Sequence, residues 1–421
     1  MDNGYVYSVN AIWISILLDY ILGFGFAFVA GFFRKPFLKH KWWPFFVAMT
    51  FTMLCILALE SSCDETAAAV LKDGEMKSNI ISTQIKEHQK FGGVYPELAS
   101  RLHLQNVASV IFMALDKAGI KPEELTHVAV TAGPGLPGAL QVGVIAAKTV
   151  AAYLGIPLIG VHHLAGHLYA NEYAGDFHFP MIACLASGGN SEIILMKDHL
   201  DFEIVGQTLD DAIGEAFDKV AREIGLPYPG GVAIDKLCKA HPEVKPFKLP
   251  FPRVPGYNLS YSGLKSAIIR KVEQEKAQNG GKLSDERVIE YAKSVEVAFV
   301  NQFVRKAFKA AEDFHAKMVI IGGGVSANSY LRSEVLKHKD EYEVLIPPMW
   351  CTTDNASMIA KAADHIIDAG YGIKRYYPNI EVINNNIDPK GHVYNVAYIN
   401  SNSAIKTNDK ILNFILSISE K

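Results

Sequence analysis

His163 and His167 lie four residues apart in His162-His163-Leu164-Ala165-Gly166-His167. On a helix that spacing stacks two imidazoles on one face, where both can ligate one metal ion. A zinc protease of the His-Glu-x-x-His kind needs a glutamate beside its first histidine to activate water, and here only Leu164, Ala165 and Gly166 fill the interval. The pair is a clamp without a proteolytic base. An arbitrary His-x-x-x-His is more often two half-buried helix histidines, but the glycine-rich turns around this one favour a ligand site.

Asp354, in Cys351-Thr352-Thr353-Asp354-Asn355, offers a hard oxygen ligand ahead of a helix expected over Ala356 to Asp368. Its spacing alone suits a helix N-cap best. Glu60, Asp64 and Glu65 crowd three carboxylates into one short turn, which costs repulsion unless a cation, an ammonium group or a proton shares the site. Glycine-rich turns at Gly133 to Gly138, Ser187 to Asn190 and Gly322 to Gly324 each follow an apolar strand pattern. Such turns expose backbone N–H groups and helix N-termini that suit phosphate, and three at equivalent places point to a nucleotide-like ligand. Gly143 to Thr149 has part of a P-loop pattern, but Ala147 stands where glycine should precede Lys148 and the segment reads as helix.

The elements that must position these residues repeat. Cys55 to Glu60 reads as a buried strand, then a polar turn, then a second apolar run from Thr66 to Leu71. Met181 to Ala186, the turn Ser187-Gly188-Gly189-Asn190 and the run Ser191 to Met196 restate that design. A second unit also recurs: His127 to Thr131 enters a glycine-rich turn and a helix from about Leu140 to Leu154, and Lys317 to Ile321 enters another and a helix from about Ala327 to Leu336. Leu102 to Ala118, Asp210 to Ile224 and Val288 to Phe314 carry helical periodicity, and Pro242 to Pro255 is a loop. This duplication predicts two similar α/β lobes facing a cleft.

The chain of 421 residues, 49% hydrophobic and 20% charged, is composed like a globular enzyme of two or three domains. A formal charge of −3 does not announce a nucleic-acid binder, so RNA contact would need a local basic surface or a partner subunit. Five scattered cysteines without a Cys-x-x-Cys argue against a disulfide scaffold or cysteine zinc site and suit a reducing cytoplasm. Residues 1–52 depart from this pattern: Ala11 to Phe33 is long and apolar enough to span a bilayer, followed by Arg34, Lys35, Lys39 and Lys41. Two readings stay open, a genuine anchor and a gene-model or fusion artefact, with the artefact expected because Met53 directly precedes a complete enzyme start. Residues 370–421 read as a low-information tail.

Taken together, Glu60 to Thr66, Gly92-Gly93-Val94-Tyr95-Pro96-Glu97-Leu98-Ala99-Ser100-Arg101, His163 to His167, Ser187 to Asn190, Glu215-Ala216-Phe217-Asp218-Lys219 and Thr353-Asp354-Asn355 resemble the TsaD/Gcp family. Its members are the catalytic subunits of tRNA threonylcarbamoyladenosine synthesis, formerly called O-sialoglycoprotein endopeptidases. The resemblance runs from about Met53 to Gly370. It implies two ribonuclease-H-like lobes of the actin, sugar-kinase and Hsp70 type, residues 53–178 completed by helix 356–369 and residues 179–355. It implies transfer of the threonylcarbamoyl group from threonylcarbamoyl-AMP to the N6 amine of the adenosine 3′ of the anticodon, in tRNAs reading codons that begin with A.

By motif position the resemblance implies that His163, His167 and Asp354 hold one divalent metal, iron or zinc. Ala186, Ser187, Gly188, Gly189 and Asn190 would line the phosphate and threonyl end, and Asp218, Gly231, Asp235 and Asn328 the nucleoside. Asp64 or Glu65 would orient the amine or accept its proton. The implied partners are tRNA, accessory subunits of the bacterial type (TsaB and TsaE) and a TsaC-type enzyme supplying the intermediate; the implied compartment is the cytoplasm, with membrane contact only if residues 11–33 are genuine. Two departures stand out: Asn190 occupies a position where bacterial members usually carry histidine, and an extra threonine precedes Asp354. The alternatives are a small-molecule kinase or carbamoyltransferase of the same fold, a non-catalytic partner subunit, and a metalloprotease, which the missing glutamate counts against.

Overall fold

The computed structural model describes residues Met53–Gly370. The apolar segment 11–33 and the tail beyond Gly370 lie outside the described residues.

Two five-stranded sheets carry the chain, and they are wired alike. In the first, β1 (Cys55–Glu60) is buried along its whole length and pairs antiparallel with β2 (Glu65–Lys72), which pairs antiparallel with β3 (Glu75–Thr83). On its other edge β1 pairs parallel with β4 (His127–Gly133), and β4 with β5 (Leu158–His162). In the second sheet β6 (Met181–Ala186) takes the place of β1, with β7 (Ser191–Asp198) and β8 (Asp201–Gln207) antiparallel on one side. The parallel side is β9 (Met318–Gly322) and β10 (Glu343–Leu345). The duplication expected from sequence is therefore an α/β repeat of one strand order.

A strand whose sheet is covered on both faces needs apolar residues on both, which is why Cys-Ile-Leu-Ala-Leu-Glu and Met-Ile-Ala-Cys-Leu-Ala, buried along their whole length, are near-continuous apolar runs. The first sheet is covered by α2 (Pro96–Ala118) and α3 (Pro137–Leu154), following the short α1 (Ile85–Gln89). Both long helices open with proline in the first turn and stop at a left-handed glycine, Gly119 and Gly155. Each buried Val, Leu or Ile there contributes roughly 1.5–3 kcal/mol of transfer free energy. Segment 143–149 lies inside α3, so it is helix and no P-loop. The short α4 (His163–Tyr169) follows β5 directly.

The second sheet packs on α5 (Ile213–Glu223), α6 (Gly230–Ala240), α7 (Ser262–Gln278), α8 (Asp285–Asp313) and α9 (Ser329–Leu336), whose apolar faces share one core with β6, β7 and β9. The last described helix, α10 (Ala356–Asp368), returns to the first sheet and packs on β1, β2 and α4. Gly166 marks where α4 meets α10: a Cβ there would lie 2.9 Å from Ile359 Cδ1. β3, β8, β10, α6 and α7 were not legible as periodic segments. β3 and β8 alternate irregularly between buried and exposed, β10 is three residues long, and only three side chains of α7 are buried.

Candidate metal and ligand site

α4 is wholly buried and begins at His163, so its two histidines leave the helix into the interior one turn apart. Their ring centroids are 4.7 Å apart in an edge-on arrangement. Asp354 reaches the same point from the loop before α10: its Oδ1 lies 3.1 Å from His167 Nε2 and 3.6 Å from His163 Nε2. Asp354 is not the helix cap that its spacing suggested. Asn355 caps α10 instead, its side chain accepting from the Met358 N–H at 3.2 Å, and this leaves the neighbouring carboxylate free to face the histidines.

Glu60, at the end of β1, is fully buried and splits its oxygens. Oε2 lies 3.0 Å from His163 Nδ1 and also accepts from Thr131, while Oε1 accepts from the Ser62 N–H. Engaged at Nδ1, the His163 ring turns Nε2 toward Asp354, as an outer carboxylate does for a metal-ligating histidine. Burial by itself would raise the Glu60 carboxyl, yet the adjacent His163 ring holds it below the usual carboxylate value. The same contacts act on the partner: burial opposes charge on His163, but Glu60 and Asp354 outweigh it and raise that ring to about 9. Asp354, also disfavoured by burial, is held down at about 2 by the two histidines.

Three observations test this set as a metal holder. All three donor side chains bring ligand atoms within 4.8 Å of one another. Buried His167 has no hydrogen-bond partner at either ring nitrogen, because the short approach to Asp354 lacks hydrogen-bond direction. Such orphaned nitrogens are costly unless something else satisfies them. Finally, the two carboxylates that favour a proton on His163 favour a divalent cation in its place. The residues fit a metal.

The turn Ser187–Asn190 joins β6 to β7 and is closed by the Ser187 N–H donating to Asn190 O at 2.9 Å and the Asn190 N–H donating to Ser187 Oγ at 3.1 Å. Gly188 and Gly189 face open space: a Cβ at either would meet nothing within 4 Å. α5 abuts this turn so closely that a Cβ on Gly214 would sit 2.6 Å from Ser187 O. The end of β9 ties the turn to the histidines. A Cβ on Gly322 would lie 2.6 Å from His167 O, and Gly323, at φ +90°, lies hard against Ala186 O. Ala186 to Asn190 and the histidine clamp are therefore neighbours. The three glycine-rich turns divide by function of the glycine: Gly135 and Gly138 leave room for Ser62 and Ser100, whereas Gly188, Gly189 and Gly324 are open.

The remaining carried-over positions sit around α6 and α9. Asp218, on α5, accepts from the N–H groups of Gly230 at 2.7 Å and Gly231 at 3.4 Å, the first turn of α6. Asp235 accepts from the Ser329 N–H at 2.9 Å and pairs with Lys239. Asn328 caps α9 through its oxygen, 2.8 Å from the Leu331 N–H, and donates its amide to Glu296. Asp64 and Glu65 follow the turn after β1. Burial, with Asp354 nearby, raises the Asp64 carboxyl; burial raises Glu65 to about 8 despite its bond from Thr83.

Sequence inspection placed Glu60 among crowded carboxylates and missed its task of orienting His163. It also missed Tyr228, whose phenol is raised by burial and by the carboxylates of Asp64 and Asp218. Tyr-Pro-Gly-Gly at 228–231 has the composition of a turn, and nothing in it points back to Asp64.

The family model for TsaD, tRNA N6-adenosine threonylcarbamoyltransferase, matches residues 75–361. The chain is 44% identical over 319 residues to proteins of that name from Geobacillus kaustophilus (strain HTA426) and Bacillus subtilis (strain 168), covering 75% of this chain and 92% and 91% of theirs. Among solved structures it is similar in fold to T. kodakarensis HypF, with a TM-score of 0.53 at 13% identity, over 76% of this chain and 48% of that one. The chain thus spans about half of HypF, and that likeness concerns fold alone. With the family model and two near-full-length relatives in agreement, the chain belongs to the TsaD family, the tRNA N6-adenosine threonylcarbamoyltransferases.

Proposed function

We propose that this chain performs its family's transfer chiefly by positioning, with threonylcarbamoyl-AMP held against the N6 amine of the adenosine 3′ of the anticodon in tRNAs reading ANN codons. The observation that carries this reading is the buried clamp of His163, His167 and Asp354, with two unsatisfied imidazole nitrogens, beside the open turn Ser187–Asn190. Residues 53–178, completed by helix 356–369, and residues 179–355 are the two lobes, and the substrates meet in the cleft between them.

The clamp would hold one divalent ion, iron or zinc, supplying positive charge and open coordination positions beside the phosphate and threonyl oxygens. Glu60 keeps His163 turned toward it. Ala186 to Asn190 line the phosphate and threonyl end, with Gly188 and Gly189 presenting backbone N–H groups and Asn190 its amide side chain, and this stabilises AMP as it leaves with the electrons of the broken C–O bond. Asp218, Gly231, Asp235 and Asn328 frame the nucleoside. An adenine amine is a weak nucleophile, so orientation against the carbamoyl carbon supplies most of the acceleration. Its proton needs an acceptor. Asp64 suits that role better than Glu65, which at about 8 already holds its own proton at neutral pH.

The tRNA is the macromolecular substrate, TsaB and TsaE are the expected accessory subunits, and a TsaC-type enzyme supplies the intermediate. The cytoplasm is the working compartment; a membrane attachment would act through residues 11–33 alone. Incubating the full chain and these partners with threonine, bicarbonate, ATP and unmodified tRNA, then digesting the tRNA for nucleoside mass spectrometry, tests the proposal. Threonylcarbamoyladenosine should form with the native chain and fall by a factor on the order of 100 or more with Asp354→Ala, a loss of several kcal/mol. It should also fall with Gly189→Val, a folded variant whose side chain fills the open turn. Native-level product from either variant would overturn the assignment.

A further inference from the structure

A second group of metal-binding side chains lies at the opposite end of α10 from Asp354. Glu172, His199 and His365 bring one ligand atom each to within 4.8 Å of the others. They come from three separate segments: the 3-10 turn Ala170–Tyr173 that follows α4, the tight turn between β7 and β8, and the last turn of α10. His365 Nε2 lies 2.7 Å from Glu172 Oε1. The His199 and His365 rings stack nearly parallel, 17° apart, with centroids only 4.0 Å from one another.

The surroundings keep His199 neutral: burial and the adjacent His365 ring both hold its imidazole below the ordinary value. Tyr169 stacks on His365 at 4.6 Å and sets its hydroxyl 3.4 Å from His199 Nδ1. Phe179 closes the other side of His199 edge-on at 4.8 Å, with Phe177 behind it. Two stacked rings in such an aromatic slot cannot both carry a proton without strong repulsion, so at least one stays neutral and presents a bare nitrogen, while a divalent ion would take the place of the proton between His365 Nε2 and Glu172 Oε1. Glu172 is oriented from outside, since its other oxygen, Oε2, faces Lys361 Nζ at 3.9 Å. An outer cation holding one carboxylate oxygen while the second turns inward is the kind of support that fixes a ligand.

We propose that Glu172, His199 and His365 form a second, structural site for a zinc-class divalent ion, which fastens the β7–β8 turn of the second sheet to the far end of the helix that follows Asp354. Two imidazoles and one carboxylate suit zinc, and bonds of about 2.0–2.2 Å set tetrahedral ligand atoms about 3.3 Å apart, so Glu172 Oε1 and His365 Nε2 would part slightly while the stacked rings tilt to bring their lone pairs together, all by rotation about side-chain χ angles. Water would complete the tetrahedron. The inference does not depend on the proposed transferase chemistry.

Cobalt(II) is the probe, added to the metal-stripped full chain and followed by its visible d–d absorption and by metal content per chain. Native chain should take up two ions. Glu172→Gln, an isosteric change that leaves the aromatic slot intact, and His199→Ala should each take up one fewer, while His163→Ala/His167→Ala keeps the second. Zinc should also raise the unfolding temperature of His163→Ala/His167→Ala and not that of a variant that further carries Glu172→Gln. Equal uptake by native chain and Glu172→Gln would overturn the proposal, as would loss of all bound cobalt in His163→Ala/His167→Ala.

Discussion

The His163–His167–Asp354 clamp and the Asp218–Asp235–Asn328 group use polar side chains in opposite ways. Around α6 and α9 the polar atoms are already engaged within the protein: Asp218 and Asp235 accept from helix-start N–H groups, and Asn328 caps one helix and binds Glu296. At the clamp, a buried histidine has both nitrogens unmatched and a carboxylate aimed at it without hydrogen-bond geometry. A protein tolerates an orphaned buried nitrogen when something from outside completes it. The contrast separates groups that brace the protein's own helices from groups that the protein leaves unmatched.

The sharpest way to break that contrast is to disturb the clamp without touching its donors. Glu60→Gln keeps the shape of the side chain but removes the charge that orients His163, and metal affinity should drop roughly 10- to 100-fold, as for other outer carboxylates. Competition with a chelator measures it. Unchanged affinity would mean that Glu60 is only a buried partner of Thr131 and Ser62.

A smaller effect is expected on the other side of the comparison. Asn328→Ala removes a helix cap and leaves Glu296 without its amide, so urea unfolding should show a loss of about 1–3 kcal/mol. The transfer rate of the folded fraction should change less. If stability stays constant and KM for threonylcarbamoyl-AMP rises instead, Asn328 serves the ligand more than the frame.

The smallest effect concerns Glu65. Its folded-state value of about 8 lies above the ordinary glutamate value of about 4.3. The stability it contributes is therefore fully present below pH ~4.3 and lost as pH rises through about 8, because the buried site prefers the protonated acid. In the metal-free chain, Glu65→Gln should flatten that part of the pH–stability curve, and transfer at neutral pH should persist in this variant while Asp64→Asn abolishes it. Persistence in Asp64→Asn and loss in Glu65→Gln would exchange their roles.

Much of this was legible in the chain because burial on both faces leaves a plain signature. β1 and β6 read as strands to the residue, and the helix expected over Ala356 to Asp368 has those bounds. The His-x-x-x-His pair was visible because helical spacing is a local property. Asp354 was read locally as a cap, and only the packing of α10 on α4 through Gly166 shows that Asn355 caps and Asp354 faces the histidines. Glu60 and Tyr228 were out of reach for the same reason: their partners lie on other elements, and no short-range pattern encodes that pairing. Edge strands such as β3 were missed because half-exposed sheet edges dilute the alternation.

The central claim is that the unsatisfied clamp holds an ion the transfer requires. It is tested most directly by stripping the full chain of metal, returning iron(II) or zinc(II), and quantifying threonylcarbamoyladenosine in tRNA by nucleoside mass spectrometry, in parallel with His163→Ala/His167→Ala. The account predicts that stripping abolishes product, that returned metal restores it in the native chain, and that the double variant stays inactive at any metal concentration. Full product from the stripped chain, or restoration in the double variant, would contradict it.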